Sequence, residues 1–204
     1  MTKAFQAVSE FHKLLRSRRS IRHFSDEPVP SALIEEVVGC AATAPSGANK
    51  QPWRFVCVRD PELKKKIRFA AEVEEREFYE HRATAEWKAD LAPLGTDANK
   101  SFLEVAPWLV VVFKLVKGDD GSNVYYADES VGIATGMLLA AAQVAGLATL
   151  THTPSPMKFL AEVLDRPANE RAYMLIPMGY PAIESEVPVA ALQKKPLVDV
   201  MVKC

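Results

Sequence analysis

The sequence predicts one domain of the α/β or α+β class, in which helices cover a mixed β-sheet. Three observations support this class. Segments with helical and strand patterns alternate along the chain. Two continuous apolar runs, 108–116 and 172–178, are typical of strands covered on both faces. The alanine-rich segment 127–145 is typical of a buried central helix.

The first part of the chain is mostly helical by its spacing of apolar residues. Helices are predicted over 9–17, over 31–42 and from 61 to about 82, and a strand over 53–58. Ser31 is the candidate N-cap of the second helix. Asp60 and Pro61 supply an N-cap and a proline at the first position of the third.

The second part alternates between strands and helices. Strands are predicted over 108–116, from Ala148 to Thr151 and over 172–178, and helices over 127–145 and 156–164. The uncharged stretch 131–150 is long enough to cross a membrane. Its glycines and Gln143 favour a buried helix followed by a strand instead. The tail, about 181–204, is predicted to be an extended arm.

Composition excludes several function classes. A net charge of −1 and a pI near 6.4 argue against a general nucleic-acid binder. Cys40, Cys57 and Cys204 lack metal-ligand spacing, so no zinc site is expected. Cys40 and Cys57 lie in apolar runs and are expected to be reduced core residues. Residues 1–25 lack the apolar core of a signal peptide, so a cytoplasmic protein without a membrane segment is predicted.

The loop Ala44-Pro-Ser-Gly-Ala-Asn-Lys-Gln-Pro-Trp53 has the residues of a rigid binding loop. Its two prolines fix φ angles, and Gly47 lets the backbone approach a ligand closely. By itself the loop fits a binding site and an ordinary turn equally well.

A basic motif precedes the loop, Arg18-Arg-Ser-Ile-Arg22. One helical turn would place Arg18 and Arg22 on the same face, and guanidinium groups bind phosphate oxygens bidentately. By itself the motif also fits a solvated basic face. The sequence contains neither a Gly-x-Gly-x-x-Gly nor a P-loop pattern, so a phosphate bound here would be held by side chains.

Together, the two motifs resemble those of the FMN-dependent nitroreductase superfamily. Further similarity to its iodotyrosine deiodinase branch lies in 72–79, Lys100, Thr151-His-Thr-Pro154 and Lys194-Lys-Pro-Leu197. The resemblance implies a nitroreductase-like α+β fold over 1–204 as one FMN-binding domain. It also implies a domain-swapped homodimer, with a substrate lid at about 70–105 and the C-terminal arm on the partner.

The resemblance assigns the cofactor, FMN, to both motifs and to the turn near residue 152. The implied FMN-binding residues are Arg18, Arg19, Ser20, Arg22, Pro45, Ser46, Gly47, Thr151, His152, Thr153 and Lys194. The arginines would hold the phosphate with Ser20. Lys194 stands where family members often have an arginine, which keeps the charge but loses the bidentate fork. Thr153 is the implied catalytic residue, because it matches the position that hydrogen-bonds flavin N5 and favours single-electron steps.

The substrate implied by the resemblance is a halotyrosine. Glu75 and Lys100 match positions that bind its ammonium and its carboxylate, and Tyr79, one helical turn from Glu75, would add a hydrogen bond. The backbone amide of Ala48 matches a contact to the halophenolate. An ortho halogen lowers a phenol's pKa below about 10, so a site for phenolate prefers halotyrosine to tyrosine.

The first functional hypothesis is therefore reductive dehalogenation of halotyrosines through reduced FMN, with NAD(P)H or a reductase as electron donor. The alternative is an NAD(P)H-dependent nitroreductase or quinone reductase of the same superfamily, because Asn49-Lys50-Gln51 resembles general nitroreductases more than vertebrate deiodinases. A third hypothesis is a non-catalytic flavin-binding protein. The sequence shows no Gly-x-Ser-x-Gly elbow of a serine hydrolase.

Overall fold

A four-stranded sheet organises the protein, for which a computed structural model describes residues 2–204. The strands are β1 (Trp53–Val58), β2 (Trp108–Leu115), β3 (Ala148–Thr149) and β4 (Glu170–Gly179), in the order β1-β2-β4-β3. All three pairings are antiparallel. The sheet is therefore antiparallel and not mixed as the sequence predicts, and an isolated parallel bridge joins Ser20 to Thr149.

Eight helices surround or extend from this sheet. They are α1 (Lys3–Ser17), α2 (Ser31–Ala42), α3 (Pro61–Glu77), α4 (Ala85–Leu91), α5 (Phe102–Val105), α6 (Ala127–Val144), α7 (Lys158–Val163) and α8 (Leu197–Val200). A π-helical turn, Phe78–Arg82, extends α3, and 3-10 turns occupy Gly47–Asn49, Ala92–Leu94 and Val189–Leu192.

The core lies on both faces of the sheet. Val110 and Val112 pack with α2 and α6, whereas Leu109, Val111 and Phe113 pack with α3, α5 and α7. All five side chains are fully buried. Because successive side chains of a strand point to opposite faces, a strand covered on both sides needs an unbroken apolar run. The prediction for 108–116 is thus confirmed.

Most predicted helices are present, with corrected ends. The Asp60 cap is confirmed, since its carboxylate accepts a hydrogen bond from the Leu63 amide at 2.8 Å. The Ser31 cap is wrong: Pro30 holds that position, and Ser31 is the first helical residue. Helix α1 begins at Lys3 instead of Ser9, because the hydroxyl of Thr2 caps it.

The prediction that Cys40 and Cys57 are core residues is wrong. Cys40, Cys57 and Cys204 are all exposed free thiols. Helix α2 buries its Ile34, Val37 and Ala41 side, which leaves Cys40 facing solvent. Cys57 lies on β1, at the edge of the sheet, where it is open to solvent.

Helix α6 lies within the fold and packs on α2 and the sheet. Among residues 2–204, no helix combines the length and apolarity that a membrane crossing requires.

Candidate active site

A cavity of about 380 Å³ lies between the segment 74–102 and the end of β3. Among the residues that line it are Arg22, Glu75, Tyr79, Lys100, Thr151, His152 and Thr153. The structure thus brings together seven residues that the sequence singled out, from three separate stretches of chain. The volume lies in the range of small-molecule sites.

Glu75 and Lys100 form an ion pair inside this cavity. Lys100 Nζ lies 3.1 Å from Glu75 Oε2, and the two side chains are only 7% and 12% exposed. Lys100 Nζ also donates to the carbonyl of Asp97. A pair of opposite charges held away from water costs desolvation energy. The desolvation cost of the pair is offset when a bound zwitterion places its ammonium beside Glu75 and its carboxylate beside Lys100.

Tyr79 lies beside the pair. Its hydroxyl donates to Thr96 Oγ1 at 2.7 Å. Burial raises the pKa of Tyr79, and its hydrogen bond with Thr96 opposes the rise only in part. The phenol therefore remains protonated at neutral pH, and its one proton, donated to Thr96 here, would have to turn from Thr96 to reach a ligand.

Glu72 fixes the backbone of Lys100. Its Oε1 accepts hydrogen bonds from the Lys100 amide and from Arg68 Nε, each at 2.8 Å. Burial alone would raise the pKa of Glu72, but these hydrogen bonds outweigh burial and lower it. Arg68 also reaches Glu104 on α5 at 3.1 Å. The start of α5 is thereby tied to α3.

His152 lies near the other carboxylate oxygen of Glu75. Its Nε2 lies 3.9 Å from Glu75 Oε1, too far for a hydrogen bond, and is buried without a hydrogen-bond partner among residues 2–204. Burial, and then the charges of Lys100 and Arg22, lower the pKa of His152 to about 3. The imidazole is therefore neutral at physiological pH.

The basic motif forms a second hollow, of about 260 Å³, lined by Arg18, Arg19, Ser20, Arg22 and Lys194 among others. Arg22 lines both cavities, so the two are adjacent. Burial lowers the pKa of both Arg18 and Arg22, and for Arg18 the charge of Arg19 adds to this. Both guanidinium groups remain charged, because arginine titrates far above neutral pH.

The backbone of this motif is extended. The expected helical turn is wrong, because α1 ends at Ser17 and the Ile21 amide donates to the Thr149 carbonyl at 3.1 Å. Alternate residues of an extended segment share one face, so Arg18, Ser20 and Arg22 still point the same way.

The loop after α2 is held in an unusual backbone conformation. Ala48, Asn49 and Gln51 have φ values of 48°, 53° and 47°, in the left-handed region that residues with a side chain rarely adopt. A Cβ at Gly47 would lie 2.7 Å from the Tyr125 carbonyl oxygen, so only glycine fits there. Such concentrated strain is typical of ligand sites.

This loop does not line either cavity. Pro45, Ser46, Gly47 and Ala48 are absent from both linings, so a single chain does not bring them to the other predicted site residues. The Ser46 hydroxyl instead accepts the Gln51 amide at 2.9 Å. Among residues 2–204, no acceptor pairs with the Ala48 amide.

Sequence reasoning missed the apolar part of the main cavity. Phe78, Trp87, Leu91 and Phe102 line it. Phe78 meets both Tyr79 and Trp87 edge to face, with ring centroids 5.2 and 4.8 Å apart. The available signal was the presence of aromatic residues in an otherwise strongly charged segment.

Comparison with known proteins agrees with this geometry. Residues 15–180 match the Nitroreductase family. Iodotyrosine deiodinase of Haliscomenobacter hydrossis is 53% identical over 199 residues, covering 95% of this chain and 88% of that protein. Human iodotyrosine deiodinase 1 is 46% identical over 200 residues, covering 95% of this chain and 68% of the human protein.

A solved structure extends the similarity to three dimensions. A crystal structure of oxidized iodotyrosine deiodinase bound to FMN and 3-iodo-L-tyrosine superimposes with a TM-score of 0.81 at 31% identity, covering 95% of this chain and 97% of that chain. The predicted nitroreductase-like α+β fold is confirmed. The chain therefore belongs to the nitroreductase family and, within it, to the branch whose members are named iodotyrosine deiodinases.

Proposed function

We propose that this protein is an FMN-dependent oxidoreductase that removes halide reductively from halotyrosines. The observation that carries the proposal is the buried Glu75–Lys100 pair in the cavity that Thr153 also lines. An amino acid zwitterion needs one anionic and one cationic partner close together, and this pair supplies both. The relatives named iodotyrosine deiodinase support the same reaction.

The residues present fit FMN. Arg18, Arg19, Arg22 and Lys194 converge on one hollow, and four cations with no carboxylate in its lining suit a dianionic phosphate. Ser20 would add a hydrogen bond to the phosphate. Thr151 to Thr153 line the adjacent cavity, where the backbone and the Thr153 hydroxyl would hold the flavin ring. When bound, FMN supplies the two electrons that convert a carbon–iodine bond into a carbon–hydrogen bond, with uptake of a proton and release of iodide.

The segment from about 70 to 105 would act as a lid over the substrate. Glu75 would bind the ammonium group, Lys100 the carboxylate, and Tyr79 would donate a hydrogen bond. Phe78, Trp87 and Phe102 would cover the iodophenol ring and exclude water from it. The aromatic lining suits a ring carrying a large polarisable halogen.

We infer that the working form is a domain-swapped homodimer. Helix α1 buries no residue in the single chain, and Val8 and Phe11 are 69% and 45% exposed. On the C-terminal arm, Val198 and Val202 are 78% and 87% exposed. Burial of such surface against a second chain is favourable. The partner would also bring its strained 45–48 loop, including the unpaired Ala48 amide, to the flavin and the phenolate.

The test uses the purified holoenzyme under anaerobic conditions. FMN is reduced with dithionite, the excess is removed, and 3-iodotyrosine is added. One iodide and one tyrosine per flavin reoxidised are expected. A reduced flavin that persists with iodotyrosine but is oxidised by nitroaromatics or quinones would contradict the proposal and favour the NAD(P)H-dependent nitroreductase or quinone reductase alternative. A flavin that no acceptor reoxidises would favour a non-catalytic flavin-binding protein.

A further inference from the structure

We propose that His152 is a substrate-binding residue, whose Nε2 accepts a hydrogen bond from the substrate's ammonium group beside Glu75. The inference rests on the proposed function and deepens it. It moves the His152 side chain from the cofactor, where the sequence placed it, to the amino acid end of the substrate. The backbone of the same residue is paired with Leu175 on β4, because each amide donates to the other residue's carbonyl at 2.9 Å.

His152 Nε2 is a buried polar atom without a hydrogen-bond partner among residues 2–204. The His152 side chain is only 9% exposed, and its Nε2 is the one side-chain nitrogen or oxygen in residues 2–204 that is fully buried with no hydrogen bond. Buried polar atoms in native proteins are nearly always paired. An unpaired atom on the wall of a ligand cavity is explained if the ligand supplies its partner.

Glu75 lies between Lys100 and His152, with one carboxylate oxygen near each. One carboxylate oxygen, Oε2, faces Lys100 at 3.1 Å, and the other, Oε1, faces His152 at 3.9 Å. A tetrahedral ammonium that donates two hydrogen bonds of about 2.8 Å holds its acceptors about 4.6 Å apart. The gap between Oε1 and Nε2 therefore needs to widen by only about 0.7 Å. The Lys100 ammonium has three N–H donors, so it can stay paired with Glu75 Oε2 and also bind the substrate carboxylate.

The imidazole of His152 is neutral, which it has to be in order to accept a hydrogen bond. A neutral imidazole has a lone pair on one ring nitrogen, which the proposal places on Nε2 with the proton on Nδ1, whereas an imidazolium has none and would repel an ammonium. Burial and the neighbouring Lys100 and Arg22 keep the His152 pKa near 3. The His152 and Phe102 rings also pack in a T-shaped arrangement, with centroids 6.0 Å apart, which helps to hold the imidazole in the cavity wall.

The experiment compares two ligands that differ only in the amino group. Oxidised holoenzyme is titrated calorimetrically with 3-iodotyrosine and with 3-(3-iodo-4-hydroxyphenyl)propanoate. His152→Leu should bind iodotyrosine about 5- to 10-fold more weakly, the value of one hydrogen bond, and the propanoate within about twofold of wild type. His152→Asn, whose carbonyl oxygen can accept, should recover part of the loss. His81→Leu, at an exposed lid histidine, is the matched control and should change neither affinity.

An equal loss for both ligands, or no loss for iodotyrosine, would overturn the assignment. If His152→Leu does not retain FMN, the same comparison is made with His152→Phe, which keeps an aromatic ring against Phe102 but has no acceptor. An unchanged affinity for iodotyrosine, or an equal loss for both ligands, again overturns the assignment. Failure of the wild type to bind iodotyrosine would instead remove the proposed function itself, and this inference with it. The two failures are therefore distinguishable.

Discussion

Replacement of Glu72 by alanine should weaken the substrate clamp, the Glu75–Lys100 pair proposed to bind the zwitterion, without removing a group that touches the substrate or the flavin. The Glu72 carboxylate accepts the Lys100 amide and Arg68 Nε, each at 2.8 Å. Within residues 2–204 it forms no hydrogen bond with Glu75 or Tyr79. In its absence, the 97–101 turn loses the hydrogen bond that orients Lys100.

The size of the effect follows from these two bonds. Hydrogen bonds to a charged group contribute about 1.5–3 kcal/mol each. Arg68 is 31% exposed and keeps Glu104, so water and that second carboxylate offset most of its loss. The net cost is then about one bond, or 1.5–2.5 kcal/mol. If the ligand must restore the order of the turn, this cost corresponds to about 10- to 70-fold weaker binding.

Fluorescence quenching of the bound flavin measures this effect. Glu72→Ala should bind 3-iodotyrosine at least tenfold more weakly than wild type, and 2-iodophenol, which lacks the amino acid end, with nearly the wild-type affinity. Glu62→Ala, at an exposed carboxylate on the first turn of the same helix, is the control and should leave both affinities unchanged. Wild-type affinity for iodotyrosine in Glu72→Ala, or an equal loss for iodophenol, would refute the reasoning.

Three further predictions concern the clamp, the flavin contact and the fold. Glu75→Gln should weaken iodotyrosine binding more than tenfold, since it removes the charge opposite the ammonium, while FMN stays bound in a spectroscopic titration; unchanged affinity would exclude the clamp. Thr153→Ala should lower the rate of iodide release relative to nitroaromatic reduction in parallel assays, and a constant ratio would show that the hydroxyl is not the relevant donor. Glu170→Gln should lower the free energy of unfolding, measured in urea, by about 2–3 kcal/mol. The fully buried Glu170 carboxylate binds Arg166 at 2.7 Å and Arg54 at 3.1 Å. Because both arginines are partly exposed, water offsets part of the loss. Burial alone would raise the pKa of Glu170, but the two arginines outweigh burial and lower it in the folded protein. The free energy of unfolding of the wild type should therefore fall as the pH drops below about 4.3. The fall should be smaller in Glu170→Gln, which has no carboxylate to protonate at this position.

Local patterns in the sequence accounted for most of the fold. Apolar spacing placed α2, α3, α6 and the strands β1, β2 and β4 within a few residues of their ends. These patterns depend on neighbours one turn or two residues away, which the sequence displays directly. The Ser31 cap was wrong by one position, because the carbonyl of Pro30 accepts the first hydrogen bonds of α2. The two buried cysteines were wrong because the neighbouring elements decide which side of a helix or strand faces the core.

The sequence by itself also determined the chemical groups of the candidate site. Through its resemblance to the nitroreductase superfamily, it implied that the arginine motif suits a phosphate, the Glu75–Tyr79 spacing a zwitterion and the residues around Thr153 a flavin. Only the tertiary structure decided how they meet. In the folded chain Arg22 lines both cavities, and the Glu72 carboxylate accepts a hydrogen bond from the Lys100 amide. The unpaired His152 Nε2 lies 3.9 Å from Glu75 Oε1. These contacts join segments far apart in the chain, and their distances follow from how the 74–102 segment packs against the end of the sheet, which no local pattern encodes.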